Sequence, residues 1–244
     1  MLLQLFRPGR TELGAPEIAR ALGLPRSSAF RLLQTLESLE FLERRANGAF
    51  HLGPAVLRLG FELVASLEIG ESGREVVERL CAETGASTQL AILDRKEVVV
   101  VLKKNPSSTF VSSVQVGTRM PAHATVIGRI LLQDLGGAGL RKLYPEGKFK
   151  QLTRHTPRSV AELERLIARD RERGYAVSES GYESGISAIA APVRNHEQRV
   201  AAVLSIIVPQ PQLEAKRRDE LVRKAVAAAN ELSRRLSYRE AAAA

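Results

Sequence analysis

The sequence predicts an α+β fold in two parts, a small N-terminal domain over residues 1–53 and a larger domain over 70–240, joined by a helix over 54–69. Three observations carry this. Apolar residues recur at helical spacing through much of the first 67 residues and again beyond residue 212. Runs rich in Val and Ile cluster between residues 87 and 208, bounded by turn residues. Several of those runs follow one another through short polar connections, which makes neighbouring strands antiparallel.

Composition narrows the class. With 244 residues, one or two domains are expected. Aromatic residues make up only 5% of the chain and Trp is absent, so the core must be built from Leu, Val, Ile and Ala. The single cysteine, Cys81, excludes an internal disulfide and a multi-cysteine zinc site. Its neighbours Val76, Val77 and Leu80 mark it as a core thiol. No apolar run approaches the roughly 20 residues of a membrane span, and Met1–Phe6 is too short and lacks the basic start of a signal peptide. A cytoplasmic protein is expected. The net charge of +9 favours nucleic acid in general. It does not locate a site, because residues 1–60 hold eight arginines against five glutamates, or +3.

The elements follow in order. Met1 to about Arg7 reads as the end of a helix; it is either short or begins upstream of Met1. Pro16–Leu22 reads as a short helix with Ile18, Ala19 and Leu22 inward, stopped at Gly23. Pro25 suits the first position of the next helix. There Ala29, Leu32, Leu33, Leu36 and Leu39 form one apolar stripe. The opposite side carries Ser27, Arg31, Gln34 and Ser38, flanked by Phe30 and Thr35. A face of hydroxyls, an amide and an arginine can donate to phosphates and read base edges in a major groove. An ordinary solvated helix would also satisfy this pattern on its own. The helix–glycine turn–helix context, followed by a hairpin about Asn47-Gly48, favours a winged helix-turn-helix. The candidate DNA contacts are Arg26, Ser27, Ser28, Phe30, Arg31, Gln34, Thr35 and Ser38 on the helix, with Arg44 and Arg45 on the wing. The partner would be double-stranded DNA.

Ala55–Leu67 is apolar over much of its circumference and reads as a linker helix that also supports dimerisation; packing on its own second domain is the alternative. Glu71–Thr84 is an amphipathic helix. Strands are expected at Ser87–Leu93, Glu97–Lys103, Thr109–Val116, Tyr175–Glu179, Gly185–Val193 and Val200–Val208. Gly117–Ala124 reads as a loop and Thr125–Leu135 as a helix ending at Gly136-Gly137. Leu140–Tyr144 and Ser159–Arg173 are helical, and a last helix runs from about Gln212 to Tyr238. Catalytic and metal chemistry find little support. No nucleophile or carboxylate shares the segment of His123, Glu179 and Glu183 suit solvated loops, and His51, His155 and His196 lack ligand spacing. Gly136–Gly139 lacks the Lys-Ser/Thr end of a phosphate loop. No cofactor and no enzyme activity are expected.

Three segments together resemble the IclR family of bacterial transcriptional regulators. They are Leu24–Leu33, the stretch Pro121-Ala122-His123-Ala124 leading into a helix, and Arg173-Gly174-Tyr175-Ala176 followed by Gly185 and Ala190-Ala191-Pro192-Val193. The resemblance spans nearly the whole chain. It implies a winged helix-turn-helix joined to a GAF/PAS-like effector domain, in a homodimer or homotetramer that binds operator DNA and answers to a small organic or aromatic acid. Carried over by position, it places Met120, Ala124, Val126 and Ile127 on one wall of the effector pocket, and His123 beside them is a candidate contact, with a structural role pinning the loop as the preferred reading. Ser178 and Ala188 fall on a second, and Ser205 and Ile207 on a third. Such a pocket is apolar with a few hydroxyls and favours a ligand with a sizeable hydrophobic body. No lysine or arginine maps to it, and backbone amides of residues 124–128 are the candidate partner for a carboxylate. The rival reading is a sensor or enzyme of GAF-like fold whose N-terminal part serves only for assembly.

Overall fold

The structure, a computed structural model, describes residues 2–7, 9–66, 69–107, 114–179, 182–209 and 213–236. The chain divides into two compact units, Met1–Leu67 and Glu68–Ala244.

In the first unit a 3-10 turn at Leu2–Leu5 leads to α1 (Ala15–Leu22) and α2 (Arg26–Ser38). A hairpin of β1 (Leu42–Arg44) and β2 (Phe50–Leu52) follows, then α3 (Ala55–Ser66). Leu2 and Phe6 of the short N-terminal segment join Leu13, Ile18, Leu33, Leu42 and Phe50 in one core. Leu13 and Phe50 exchange both backbone hydrogen bonds at 2.9 Å, adding a rung to the hairpin.

Three details differ from expectation. Leu32 and Leu39 are 38% and 53% exposed, because α2 is clamped mainly through Ala29 and Leu33, with Leu36 half-buried. At 100° per residue Leu32 and Leu39 stand roughly 60° and 80° from Ala29, beyond what so small a domain covers. Pro25 is the N-cap rather than the first helical residue, with ψ 145°. In the hairpin only Gly48 takes a positive φ (80°), so Asn47-Gly48 does not form the two-residue mirror-image turn. Gly48 N donates to Arg45 O at 2.9 Å and Asn47 Oδ1 accepts from Ala49 N at 2.9 Å, the pattern of a longer loop ending in a left-handed glycine.

The second unit holds one six-stranded antiparallel sheet. Its strands are β3 (Ser87–Asp94), β4 (Glu97–Lys104), β5 (Arg119–Pro121), β6 (Ala176–Glu179), β7 (Ile186–Arg194) and β8 (Val200–Pro209). Their order across the sheet is β5-β4-β3-β8-β7-β6. One face is covered by α4 (Gly70–Thr84) and α8 (Ala215–Arg235), which bury Val76, Val77, Leu80, Leu221, Ala225 and Leu232. Cys81 lies in that layer, 3% exposed, and burial pushes its thiol pKa up. Arg79 pairs with Glu231 and Arg235 with Glu75, fastening the two helices at their rim. The opposite face packs on α5 (Val126–Leu131), with α6 (Gly136–Leu143) and α7 (Val160–Arg173) behind it.

That second layer departs most from expectation. Residues 109–113 of the expected strand Thr109–Val116 lie outside the described residues, and Val114–Val116 is irregular. The strand is instead β5, inside the stretch expected as a loop. Pro121 is tolerated because β5 is a short edge strand. The expected helix Thr125–Leu135 breaks after α5 into a 3-10 turn at Gln133–Leu135. Gly136-Gly137 then opens α6, with φ 62° at Gly136, instead of only closing the helix before it. The last helix begins at Ala215; Gln212 and Tyr238 lie outside the described residues.

Candidate functional site

Two surfaces need explanation, the outer face of α2 and a cavity in the second unit. On α2, Arg26, Ser27, Phe30, Arg31, Gln34, Thr35 and Ser38 are exposed and Ser28 is half-buried. Phe30 is 40% exposed, apolar surface with no packing role to account for it. The side chains of Arg26, Ser27, Arg31 and Gln34 make no hydrogen bond or ion pair among the described residues. Thr35 Oγ1 donates to Arg31 O at 3.0 Å and Ser38 Oγ to Thr35 O at 2.9 Å. Those two hydroxyls, as placed, offer acceptor lone pairs rather than donors. Three donors, Ser27, Arg31 and Gln34, therefore stand ready on one face with no acid among them, and Arg26 adds a second cation at the helix N-terminus.

The wing arginines are exposed but engaged. The Arg44 guanidinium lies 5.7 Å from the Phe50 ring centre, and Arg45 Nε stands 3.5 Å from Glu12 Oε1. Both contacts are at the surface, where such pairs contribute about 0–1 kcal/mol and yield readily to a phosphate.

The cavity lies between the sheet and the start of α5. Its lining includes Met120, Val126, Ile127, Ser178, Ala188 and Ile207, which the family resemblance also places together. Gln89, Val114, Thr125, Tyr182, Glu183 and Ile186 complete it. The volume is about 60 Å³, room for on the order of four or five waters. That is tighter than the sizeable apolar body expected from the sequence. Walls of Val, Ile and Met leave only a handful of polar groups to fix a ligand's orientation.

His123, Ala124 and Ser205 are not among the lining residues. His123 turns away to stack on Phe149 (centroids 4.3 Å apart, planes 14° apart), and Tyr144 meets both rings edge-on. Burial lowers the pKa of His123, partly offset by a hydrogen bond to the Lys150 backbone, so the neutral ring is favoured. Burial raises Tyr144 to about 12. Ala124 is packed beneath α5 at 5% exposure. Ser205 is fully buried in β8, and its Oγ has no hydrogen-bond partner.

The start of α5 is held from two sides. Thr125 Oγ1 accepts from Gly128 N at 2.9 Å, so that amide among residues 124–128 is already committed. Arg129, 8% exposed, sends Nε to Asp170 Oδ2 at 2.6 Å and Nη2 to the Val177 carbonyl at 3.1 Å. It thereby ties α5, which carries Val126 and Ile127, to β6, which carries Ser178. Sequence reasoning missed Gln89 at this site. The antiparallel register sets Lys103 of β4 opposite Gln89 of β3, and Gln89 opposite Ser205 of β8. Only that pairing shows the three on one face, since they are far apart in sequence.

With this geometry in hand, the relatives are informative. A family profile described as "Bacterial transcriptional regulator IclR C-terminal" matches residues 61–234, and one described as "IclR helix-turn-helix domain" matches residues 1–46. The HTH-type transcriptional regulator XynR of Escherichia coli K12 is 36% identical over 209 residues, covering 84% of this chain and 82% of its own. An IclR transcriptional regulator from Alicyclobacillus acidocaldarius superposes with a TM-score of 0.85 at 27% identity, over 96% of this chain and 94% of its own. An IclR homolog from Microbacterium hydrocarbonoxydans, solved with 4-hydroxybenzoate, gives a TM-score of 0.82 at 26% identity, over 97% of this chain and 96% of its own.

Proposed function

We propose, for a chain that belongs to the IclR family of DNA-binding transcriptional regulators, that α2 reads an operator and that the cavity behind Met120 and Ser178 takes the small organic acid that controls it. The observation that carries the reading is the α2 face, where Ser27, Arg31 and Gln34 stand exposed without partners among the described residues, with Arg26 likewise unpartnered at the helix N-terminus. Arg31 is central on that face and serves as the base-reading side chain, bidentate to a guanine edge. Arg26, Ser27 and Ser28 at the helix N-terminus, with Arg44 and Arg45 on the wing, take backbone phosphates. Phe30, Thr35 and Ser38 border the contact. Two copies of the chain, in a homodimer or a tetramer, present two such helices to successive turns of the duplex, about 34 Å apart.

The effector part rests on the cavity's apolar walls with few polar groups, and on the 4-hydroxybenzoate complex of the Microbacterium relative. A relative from Acinetobacter baylyi is named a p-hydroxybenzoate hydroxylase transcriptional activator. Among the described residues no helix is long and apolar enough to cross a membrane, and no group of three His, Cys, Asp or Glu side chains could hold a metal ion.

The test is fluorescence anisotropy with a duplex taken from upstream of the protein's own gene, at stated salt. Arg31→Ala should weaken specific binding by about 1–3 kcal/mol, roughly 5- to 150-fold, and leave the melting temperature unchanged. Operator affinity equal to that of the parent protein would remove Arg31 from the reading set.

A further inference from the structure

Resting on the reading of the cavity as an effector site, we infer that Lys103, with Gln89 and Ser205 beside it, receives the ligand's carboxylate. Lys103 pairs with Gln89 across β3–β4, and Gln89 pairs with Ser205 across β3–β8. Directly opposed residues of an antiparallel pair share a face, so the three make one polar row about 10 Å long on the sheet face that bears the cavity, with Gln89 in its lining.

Two members of this row are buried without a partner. Gln89 lines the cavity at 1% exposure and its Oε1 accepts no hydrogen bond; Ser205 Oγ, at 0%, also has none. Unsatisfied buried polar atoms cost stability, and they are retained where a ligand completes them. A Gln amide can turn its NH2 group inward at little cost and a Ser hydroxyl can rotate, so both can donate to a carboxylate.

The third member supplies the charge. Lys103 is half-buried, and its ammonium donates to the carbonyl of Val114, itself a wall of the cavity. That bond sets the cation beside a residue that lines the cavity. Desolvation lowers its pKa, a burden that an entering anion relieves. A charge-assisted bond to a carboxylate is roughly twice as strong as one to a carbonyl.

Other candidate partners are poorer. Arg129 is close by but committed to Asp170. Glu183, an exposed residue of the lining, is an acid and offers an anion no cationic partner. An acid accordingly enters with its carboxylate toward the sheet and its apolar body against Met120, Val126 and Ile127.

The experiment uses the full chain in thermal-shift and calorimetric titrations. The probes are butyrate, benzoate and 4-hydroxybenzoate, each beside the corresponding amide. In the parent protein at least one acid should bind tenfold or more tightly than its amide. Lys103→Met should lose about tenfold or more of that acid's affinity and leave the amide unchanged. Lys103→Arg should retain most of it, which separates charge from folding, as does Gln89→Leu, expected to weaken the acid with Lys103 intact. Equal acid binding by Lys103→Met and the parent would overturn the assignment while sparing the cavity as effector site. If no acid outbinds its amide in the parent protein, both the carboxylate row and the acid effector fall, and the operator titration still judges DNA binding separately.

Discussion

Replacing Arg129 by Met tests how the cavity is held together. Arg129 Nε lies 2.6 Å from Asp170 Oδ2, and the two side chains are 9% and 2% exposed. Unit charges with centres about 4 Å apart interact by about 4 kcal/mol at an effective dielectric constant near 20. Removing one partner of such a buried pair costs about 3–5 kcal/mol, because the other charge stays buried. The lost bond to the Val177 carbonyl adds about 1 kcal/mol. Arg169, 3.7 Å from Asp170 Oδ1 but half-exposed, returns less than about 1 kcal/mol. The expected net loss is about 3–5 kcal/mol, a fall of roughly 6–20 °C in the melting temperature of a unit this size. Circular-dichroism melts and urea titrations of the full chain measure it. Burial is the largest influence on Arg129 and lowers its pKa from the ordinary 12.5, against the pull of Asp170. The pair is thus no more stabilising than apolar neighbours would be, and Arg129→Met with Asp170→Leu should recover most of the loss. A single-substitution loss under about 1 kcal/mol, or a double variant no more stable than Arg129→Met, would refute the reasoning.

Two further outcomes follow from packing and from protons. A Cβ on Gly128 would lie 1.9 Å from Ala122 O and 2.5 Å from Ala122 C, both backbone atoms. Gly128→Ala should therefore cost about 1–3 kcal/mol or more in a urea titration, and an unchanged midpoint would show that the Ala122–Thr125 turn yields freely. His123 has a folded pKa below the ordinary 6.5, so its contribution is complete above pH 6.5 and is lost as pH falls from there toward the lower folded value. His123→Phe keeps the stack on Phe149 and should flatten the fall in melting temperature between pH 7 and pH 5; an unaltered slope would mean that other groups govern it.

How much was legible in the sequence differs between the units. The α2 face could be read because helical periodicity is local: Arg31, Gln34 and Ser27 lie within eight residues, and the spacing that buries Ala29 and Leu33 turns those three outward. Its limits were legible only in part, since whether Leu32 and Leu39 are covered depends on how wide a neighbour the small domain supplies. The hairpin strands β3–β4 and β7–β8 were equally local. Strand β5 was not: its three residues pair with β4 at the sheet edge, and nothing in Arg119-Met120-Pro121 alone outweighs a proline's bias toward loops.

The cavity shows the same division. Met120, Val126, Ile127, Ser178, Ala188 and Ile207 come together around the cavity, whereas His123, Ala124 and Ser205 stand outside its lining, the His123 ring being claimed by Phe149 and Tyr144. Gln89 and Lys103 could not be seen, because the register between three strands is set by side-chain packing over long sequence separations. By itself the amino-acid order determined the kinds of element, the outward face of α2 and the two-part plan, all consequences of periodicities a few residues long. The tertiary structure alone decided which polar groups share one row of the sheet, which arginine is tied up by a buried acid, and how little space the cavity leaves. Those outcomes depend on contacts between segments tens of residues apart, where chain connectivity says nothing about distance.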